Sequence, residues 1–135
     1  MNIIFGEYRI SDDKNLLNMD IIHGFLQQSY WAHQRTRETL VKAVENSLCL
    51  GVYYQDQQIG FARFVTDGAT IYWLCDVFVD EAYRGQGIGK KLMEAMENWD
   101  LLKGLNGILG TRDAHGLYEQ YGFVRNEMMR KTAVL

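Results

Sequence analysis

The chain has no proline among its 135 residues and only two cysteines. Ordinary usage of about 5% would place about seven prolines in a chain of this length. Helix starts and turns must therefore be set by glycine and by capping side chains. Cys49 and Cys75 lie 26 residues apart and form no CxxC pair. That is no disulfide scaffold and no zinc cage. Both sit in apolar runs and read as small buried hydrophobes of a reducing compartment.

A strong charge of either sign is also missing. Fourteen Lys and Arg stand against 17 Asp and Glu, a net charge of −3, which argues against nucleic acid as a partner. The longest apolar run, Ile71 to Val79, is interrupted by Asp76. It falls well short of the roughly 20 residues that a membrane helix needs, so no membrane partner is expected. The opening MNIIFGEYRI has no basic region followed by an apolar stretch. No secretory signal is expected, and the expected address is the cytoplasm.

What is present is ordinary globular composition. The apolar fraction is 47%, too high for a disordered chain, and the length suits one domain spanning 1–135. Residues 2–10 read as a strand. Apolar residues at helical spacing mark a helix from Met19 to Trp31, and Thr36 can cap a second carrying Leu40, Val41, Val44 and Leu48. Two β-rich runs follow at 48–55 and 58–66, with Asp56-Gln57 as a tight connection. TIYWLCDVFV, residues 70–79, reads as a central strand covered on both faces. Its alternation puts Tyr72, Leu74, Asp76 and Phe78 on one face. From Gly87 the period turns helical, with Ile88, Leu92, Met96 and Trp99 on one side. A short strand at 107–111, a helix near 114–121 and a last strand at 123–131 complete an α/β (α+β) domain with a mixed sheet.

Glycines concentrate between residues 85 and 122, and the sharpest run is Arg84-Gly85-Gln86-Gly87-Ile88-Gly89-Lys90. It stands between a buried strand and an amphipathic helix. Bare glycines let a ligand approach the backbone, and the free N–H groups of a first helical turn suit a phosphate. Two common phosphate loops fail here. GxxxxGK[ST] needs glycine at Arg84 and a hydroxyl at Lys91; GxGxxG needs glycine at Lys90 or Leu92. A glycine-rich turn without a ligand remains the plain alternative.

Arg84-x-x-Gly87-x-Gly89 resembles the Q/R-x-x-G-x-G/A motif of the GNAT family of N-acetyltransferases. DVFVDEAYRGQGIGKKLMEAM is similar to that family's acetyl-CoA segment, and LYEQYGF, residues 117–123, to its LYEKLGF element. The order of elements matches over essentially the whole chain. The resemblance implies a mostly antiparallel central sheet flanked by helices, with two central strands splayed apart. It implies acetyl-CoA as donor and a small-molecule or peptide amine as acceptor. The pyrophosphate would lie over the backbone N–H groups of residues 84–89 (Arg84, Gly85, Gln86, Gly87, Ile88, Gly89), with Lys90 as a further cofactor-binding residue. The pantetheine arm would lie along Val77, Phe78 and Val79, where an exposed strand edge meets its two amides.

Transfer by direct attack needs a neutral amine, an oxyanion donor and a proton for the thiolate. Tyr118 matches the tyrosine that the family uses as general acid, although tyrosine also packs helices against sheets. Asp76, alone in its apolar strand, is either a base for an ammonium substrate or an ion-pair partner of Arg63. Some relatives carry a glutamate at the position of Trp73, so the resemblance supplies no general base. His115 stands three residues before Tyr118 and can relay a proton; Asp113 reads as the N-cap of their helix. Tyr30 and Trp31, with Arg35 and Arg37, fall in the segment that covers the acceptor in this family. Core packing and solvated charge are their bland alternatives. Tyr30, Trp31, Arg63 and His115 are thus the acceptor-side candidates. No metal-ligand spacing occurs around His23 or His33. The expectation is an acetyl-CoA-dependent N-acetyltransferase, with a non-catalytic acyl-CoA-binding module as alternative; homodimers are common in such families.

Overall fold

The N-terminal run folds as a hairpin and not as a single strand. Gly6 at φ +58° turns the chain between β1 (Asn2–Phe5) and β2 (Tyr8–Ser11). The computed structural model describes residues 1–134. Without proline, the helix starts fall to polar side chains. Asn18 accepts the N–H groups of Asp20 and Ile21 to open α1 (Met19–Gln27). Thr36 accepts that of Thr39 to open α2 (Arg37–Glu45). Each cap satisfies donors that the helix itself leaves unpaired. Helix α1 ends well before Trp31, which leaves residues 28–35 as a connection.

Strands β3 (Leu48–Tyr54), β4 (Gln57–Thr66) and β5 (Ile71–Val79) follow as a meander. The first turn falls on Gln55-Asp56, one residue earlier than expected, with Gln55 at φ +53°. Helix α3 (Ile88–Glu97) then crosses to β6 (Asn106–Leu109), and α4 (His115–Glu119) closes the order. The six strands stand in sequence order, antiparallel from β1 to β5 and parallel between β5 and β6.

Each face of the sheet carries its own core. On one, Ile88, Leu92, Met93 and Met96 of α3 meet Ile10, Leu50, Val52, Phe64 and Leu74. On the other, Ile22 and Leu26 of α1 and Leu40 and Val44 of α2 meet Cys49 and Phe61. Full burial of each large aliphatic side chain contributes about 1.5–3 kcal/mol.

Two irregularities shape the centre. Between the pairs Phe61↔Phe78 and Arg63↔Cys75, the single Ala62 stands opposite both Asp76 and Val77. This β-bulge puts Asp76 at φ +55°, a conformation that aspartate tolerates better than most residues. The bulge breaks the expected alternation. Tyr72 and Leu74 face the α3 core, and so do Val77 and Val79. Asp76 and Phe78 turn to the α1 side, where Phe78 stacks on Phe25 at 4.5 Å. The second irregularity is a splay: β5 pairs with β6 only over Ile71–Leu74. From Cys75 to Val79 the edge of β5 on that side has no strand against it.

The expected last strand is not formed. Residues 123–134 adopt no regular secondary structure, and β6 has a strand neighbour only on its β5 side. A β-prone segment forms a ladder only against an available edge, and this one lies apart from the edge of β6.

Candidate active site

Helix α3 begins unlike the other long helices. Its N-cap is Gly87 at φ +78°, which has no side chain to bond the first turn. Gly85 is also left-handed, at φ +81°. Among the described residues no protein acceptor meets the N–H groups of residues 85–90. The first amide of the expected run, that of Arg84, is already bonded to the carbonyl of Glu81 at 3.3 Å. The free donors therefore begin one residue later than expected. Nothing fills the space above them: a Cβ built at Gly85 or Gly87 meets no atom within 4 Å. A run of unpaired donors at the positive end of a helix dipole, reached through bare glycine, fits a diphosphate. The Arg84 side chain folds back, its Nε donating to the Val79 carbonyl at 3.3 Å. Lys91 is drawn toward Glu94 at 3.3 Å, while Lys90 stays exposed in the first turn.

Helix α4 is fastened to this helix start. Leu117 lies 3.9 Å from the Cβ position of Gly89, and the Tyr121 hydroxyl donates to the Lys90 carbonyl at 3.3 Å. Between them, Tyr118 packs into the same core as Val77, Val79 and Tyr83. The splayed strand, the glycine loop and the phenol therefore converge. Burial pushes the Tyr118 phenol above its ordinary pKa of 10.0, with Tyr30 and Asp113 adding to the rise. It is protonated at neutral pH, and no described residue hydrogen-bonds its hydroxyl. Asp113 does not cap α4. Ala114 takes that position, and its N–H donates to Thr111 Oγ1 at 3.0 Å. The hydroxyl that meets this amide belongs to the residue three positions before it.

Asp76 is paired on every side. Arg63 Nε and Arg35 Nη1 each donate to its Oδ2 at 2.7 Å, and the Trp31 indole N–H donates to its Oδ1 at 3.0 Å. Its side chain has no solvent exposure. Of the two sequence readings, the ion pair with Arg63 is the geometry present. Arg63 also donates to Ser47 Oγ at 3.1 Å. Burial alone would lower the Arg63 pKa, but the charge and hydrogen bond of Asp76 leave it raised.

The contact with Arg35 was not predicted from sequence. Only the bulge turns Asp76 toward the connection after α1, and no spacing rule announces a bulge. Arg37 follows its bland reading, bonding Asp20 at 2.9 Å on the exposed surface. Tyr30 stacks edge-on against Trp31 at 5.0 Å and lies 3.7 Å beneath the guanidinium carbon of Arg112. Tyr30 and Trp31 are each about two-fifths exposed, so they border solvent instead of filling core. His115 is half-buried on α4. Among the described residues no cluster of His, Cys, Asp or Glu is arranged to hold a metal, and no helix is long and apolar enough to cross a membrane.

Comparison with known proteins agrees with this architecture. A family model described as an acetyltransferase (GNAT) domain matches residues 45–125, the stretch from the end of α2 past α4. A solved structure from Xanthomonas campestris pv. campestris, described as a GNAT-family acetyltransferase, is 37% identical. It superposes with a TM-score of 0.90 over 95% of each chain. A protein of Gibberella zeae named as an acetyltransferase is 28% identical over 73% of this chain and 69% of its own length. The spermine/spermidine N(1)-acetyltransferase of Bacillus subtilis is 27% identical over 64% of this chain and 62% of its own length. With the matched model covering more than half of the sequence and the fold shared end to end, the chain belongs to the GNAT acetyltransferase family.

Proposed function

We propose that the chain moves the acetyl group of acetyl-CoA to a primary amine by direct attack in a ternary complex. The observation that carries this reading is the run of unpartnered amides at residues 85–90. It is continuous with the free β5 edge and faces a helix bearing a protonated, unbonded phenol. The amides of residues 85–90 hold the diphosphate, with Lys90 and Arg84 adding charge at the rim. The open edge of Val77, Phe78 and Val79 pairs with the amides of the pantetheine arm. Bound there, the coenzyme supplies a thioester carbonyl. A backbone N–H of the same strand segment takes up the developing oxyanion charge. Tyr118, protonated at neutral pH, would give its proton to the departing sulfur, and the proton released from the acetylated nitrogen would return to the phenolate through water, so that amide and free thiol leave with no net proton change.

On the acceptor side, Tyr30, Trp31 and His115 border the approach to Tyr118. Arg63, Arg35 and Asp76 act as positioning residues. Their hydrogen bonds tie the Trp31 connection to the bulge of β5. No base is assigned, because both Asp76 oxygens are engaged by donors. The acceptor of the Bacillus subtilis relative places polyamines among the first amines to try.

Two measurements test the reading. Calorimetric titration with acetyl-CoA should give saturable binding, and absence of heat at millimolar cofactor rejects it. A thiol-release screen against simple amines, polyamines, amino acids, aminoglycosides and peptides should then find a class that accelerates release. Binding without release toward any amine favours a non-catalytic acyl-CoA module.

A further inference from the structure

The whole chain is net −3, yet the acceptor side of the site has the opposite sign. Arg63 and Arg35 share the single carboxylate of Asp76, each at 2.7 Å. The other partners in this group are neutral: Ser47 Oγ meets Arg63, and the Trp31 indole meets Asp76. Cys49 and Cys75 beside it stay thiols, because burial raises both of their pKa values. One positive charge is therefore left over, on side chains only 11% and 22% exposed. Charge held largely out of water calls for a counter-ion. No second carboxylate among the described residues pairs with either arginine.

A third guanidinium stands next to this group, and it is free. Contacts run from Asp76 to Trp31, from Trp31 to Tyr30, and from Tyr30 to Arg112, whose guanidinium carbon lies 3.7 Å from the ring centroid. They cross from β5, beyond its last pair with β6, to the turn that leads from β6 into α4. Stacking at this distance holds the guanidinium against the ring and uses none of its N–H donors, which point outward around its edge. No described residue accepts from them, and no carboxylate pairs with Arg112, which is exposed. Tyr30 is in turn near enough to Tyr118 to add to the rise in its pKa, and so is Asp113. Asp113 is exposed and is bonded to no cation among the described residues. A preoriented fork of donors and an unpaired carboxylate thus stand together near the phenol.

We propose that the acceptor amine also carries an oxyanion, a carboxylate or phosphate a few bonds from its nitrogen, and that Arg112 binds it. The inference rests on the acetyl-transfer reading and narrows its acceptor. The flat fork of Arg112 matches two oxygens of such a group at once. The surplus charge shared by Arg35 and Arg63 adds attraction without contact. Asp113 offers its carboxylate to the ammonium end. A polyamine brings only cations to this surface and is repelled by it. Arg112 is then a specificity-determining residue, and Tyr30 is the platform that orients it.

Matched acceptors test this in the thiol-release assay: L-amino acids and β-alanine, each beside its amide, and glucosamine 6-phosphate beside glucosamine, with spermidine alongside. The first set reads a carboxylate and the second a phosphate. At equal concentrations of neutral amine, the anionic member of the best pair should show a kcat/KM at least about tenfold higher. Arg112→Gln should erase that preference while the KM for acetyl-CoA holds, and Arg112→Lys should restore part of it. Equal or better use of the amides, of glucosamine or of spermidine overturns the proposal and leaves acetyl transfer standing. A preference that survives Arg112→Gln also overturns it. Calorimetric titration of the same pairs, with and without CoA, reads the site without turnover. Anion-selective binding that Arg112→Gln abolishes upholds the site even where no amine releases thiol, a result that rejects the transfer reading alone. Binding of acid and amide with equal affinity, or of neither, overturns the proposal.

Discussion

Replacing Asp76 by alanine should be among the most damaging single changes in this protein. The carboxylate has no solvent exposure, and its two arginine partners are only 11% and 22% exposed, for Arg63 and Arg35 respectively. Removing one member of a buried ion pair costs about 3–5 kcal/mol, because the remaining charge stays desolvated. Water reaches part of Arg35, which places this case near the lower end, about 3 kcal/mol. The left-handed backbone at φ +55° adds roughly 1 kcal/mol for alanine, which visits this region less readily than aspartate. The sum, about 4 kcal/mol, is a large share of the roughly 5–15 kcal/mol that holds a domain folded. For a domain of this size it corresponds to a melting temperature lower by about 10–20 °C. Thermal unfolding by circular dichroism at neutral pH, without cofactor, measures it. Asp76→Asn separates the causes: it keeps the backbone tolerance and accepts a hydrogen bond, and should lose about half as much. An alanine variant melting within about 3 °C of wild type would refute the idea that this pair ties the acceptor-side connection to β5.

Tyr118→Phe should lower kcat by about a hundredfold or more and change the KM for acetyl-CoA little; steady-state kinetics showing unchanged turnover removes Tyr118 from the acid role. Gly87→Val puts a β-branched residue at φ +78°, costing about 1–2 kcal/mol, and fills the cradle. Acetyl-CoA affinity should fall at least about tenfold in a chain that still folds, as titration calorimetry would read. Gly107→Ala drives a methyl to 2.4 Å from the Tyr72 ring, and overpacking of this kind costs about 1–3 kcal/mol; an unchanged urea midpoint would contradict that crowding. At alkaline pH the protein should weaken. Burial pushes the Cys49 thiol up to about 11 from 9.0 and the Tyr53 phenol up to about 12 from 10.0. Both groups ionise more readily in the unfolded chain, so their contribution is whole below pH 9 and is lost as pH rises toward 12. Urea unfolding between pH 8 and 11 should show a loss of about 2–3 kcal/mol from Cys49 alone.

Much of this protein was legible in its residues. Periodicity located α1, α2 and α3 because burial of one face repeats at the helical period: Ile88, Leu92, Met96 and Trp99 all lie in the core. Thr36 was readable as a cap because capping is local chemistry. The glycine run before α3 marked a bare helix start, since positive φ and a missing side-chain cap are written in neighbouring residues. The sequence alone thus determined the main helices, the central meander, the fold class and the glycine-rich start of α3.

Tertiary structure decided the rest. The bulge at Asp76 depends on how β4 registers against β5, and it alone turned the carboxylate from one face to the other and joined it to Arg35 and Trp31. The end of β5–β6 pairing at Leu74 is likewise a property of two strands separated by a helix. The fate of the C-terminal segment was beyond any local signal. Side-chain pattern records which residues favour extended backbone, but hydrogen bonds in a sheet are made between segments, and a strand exists only where another edge receives it.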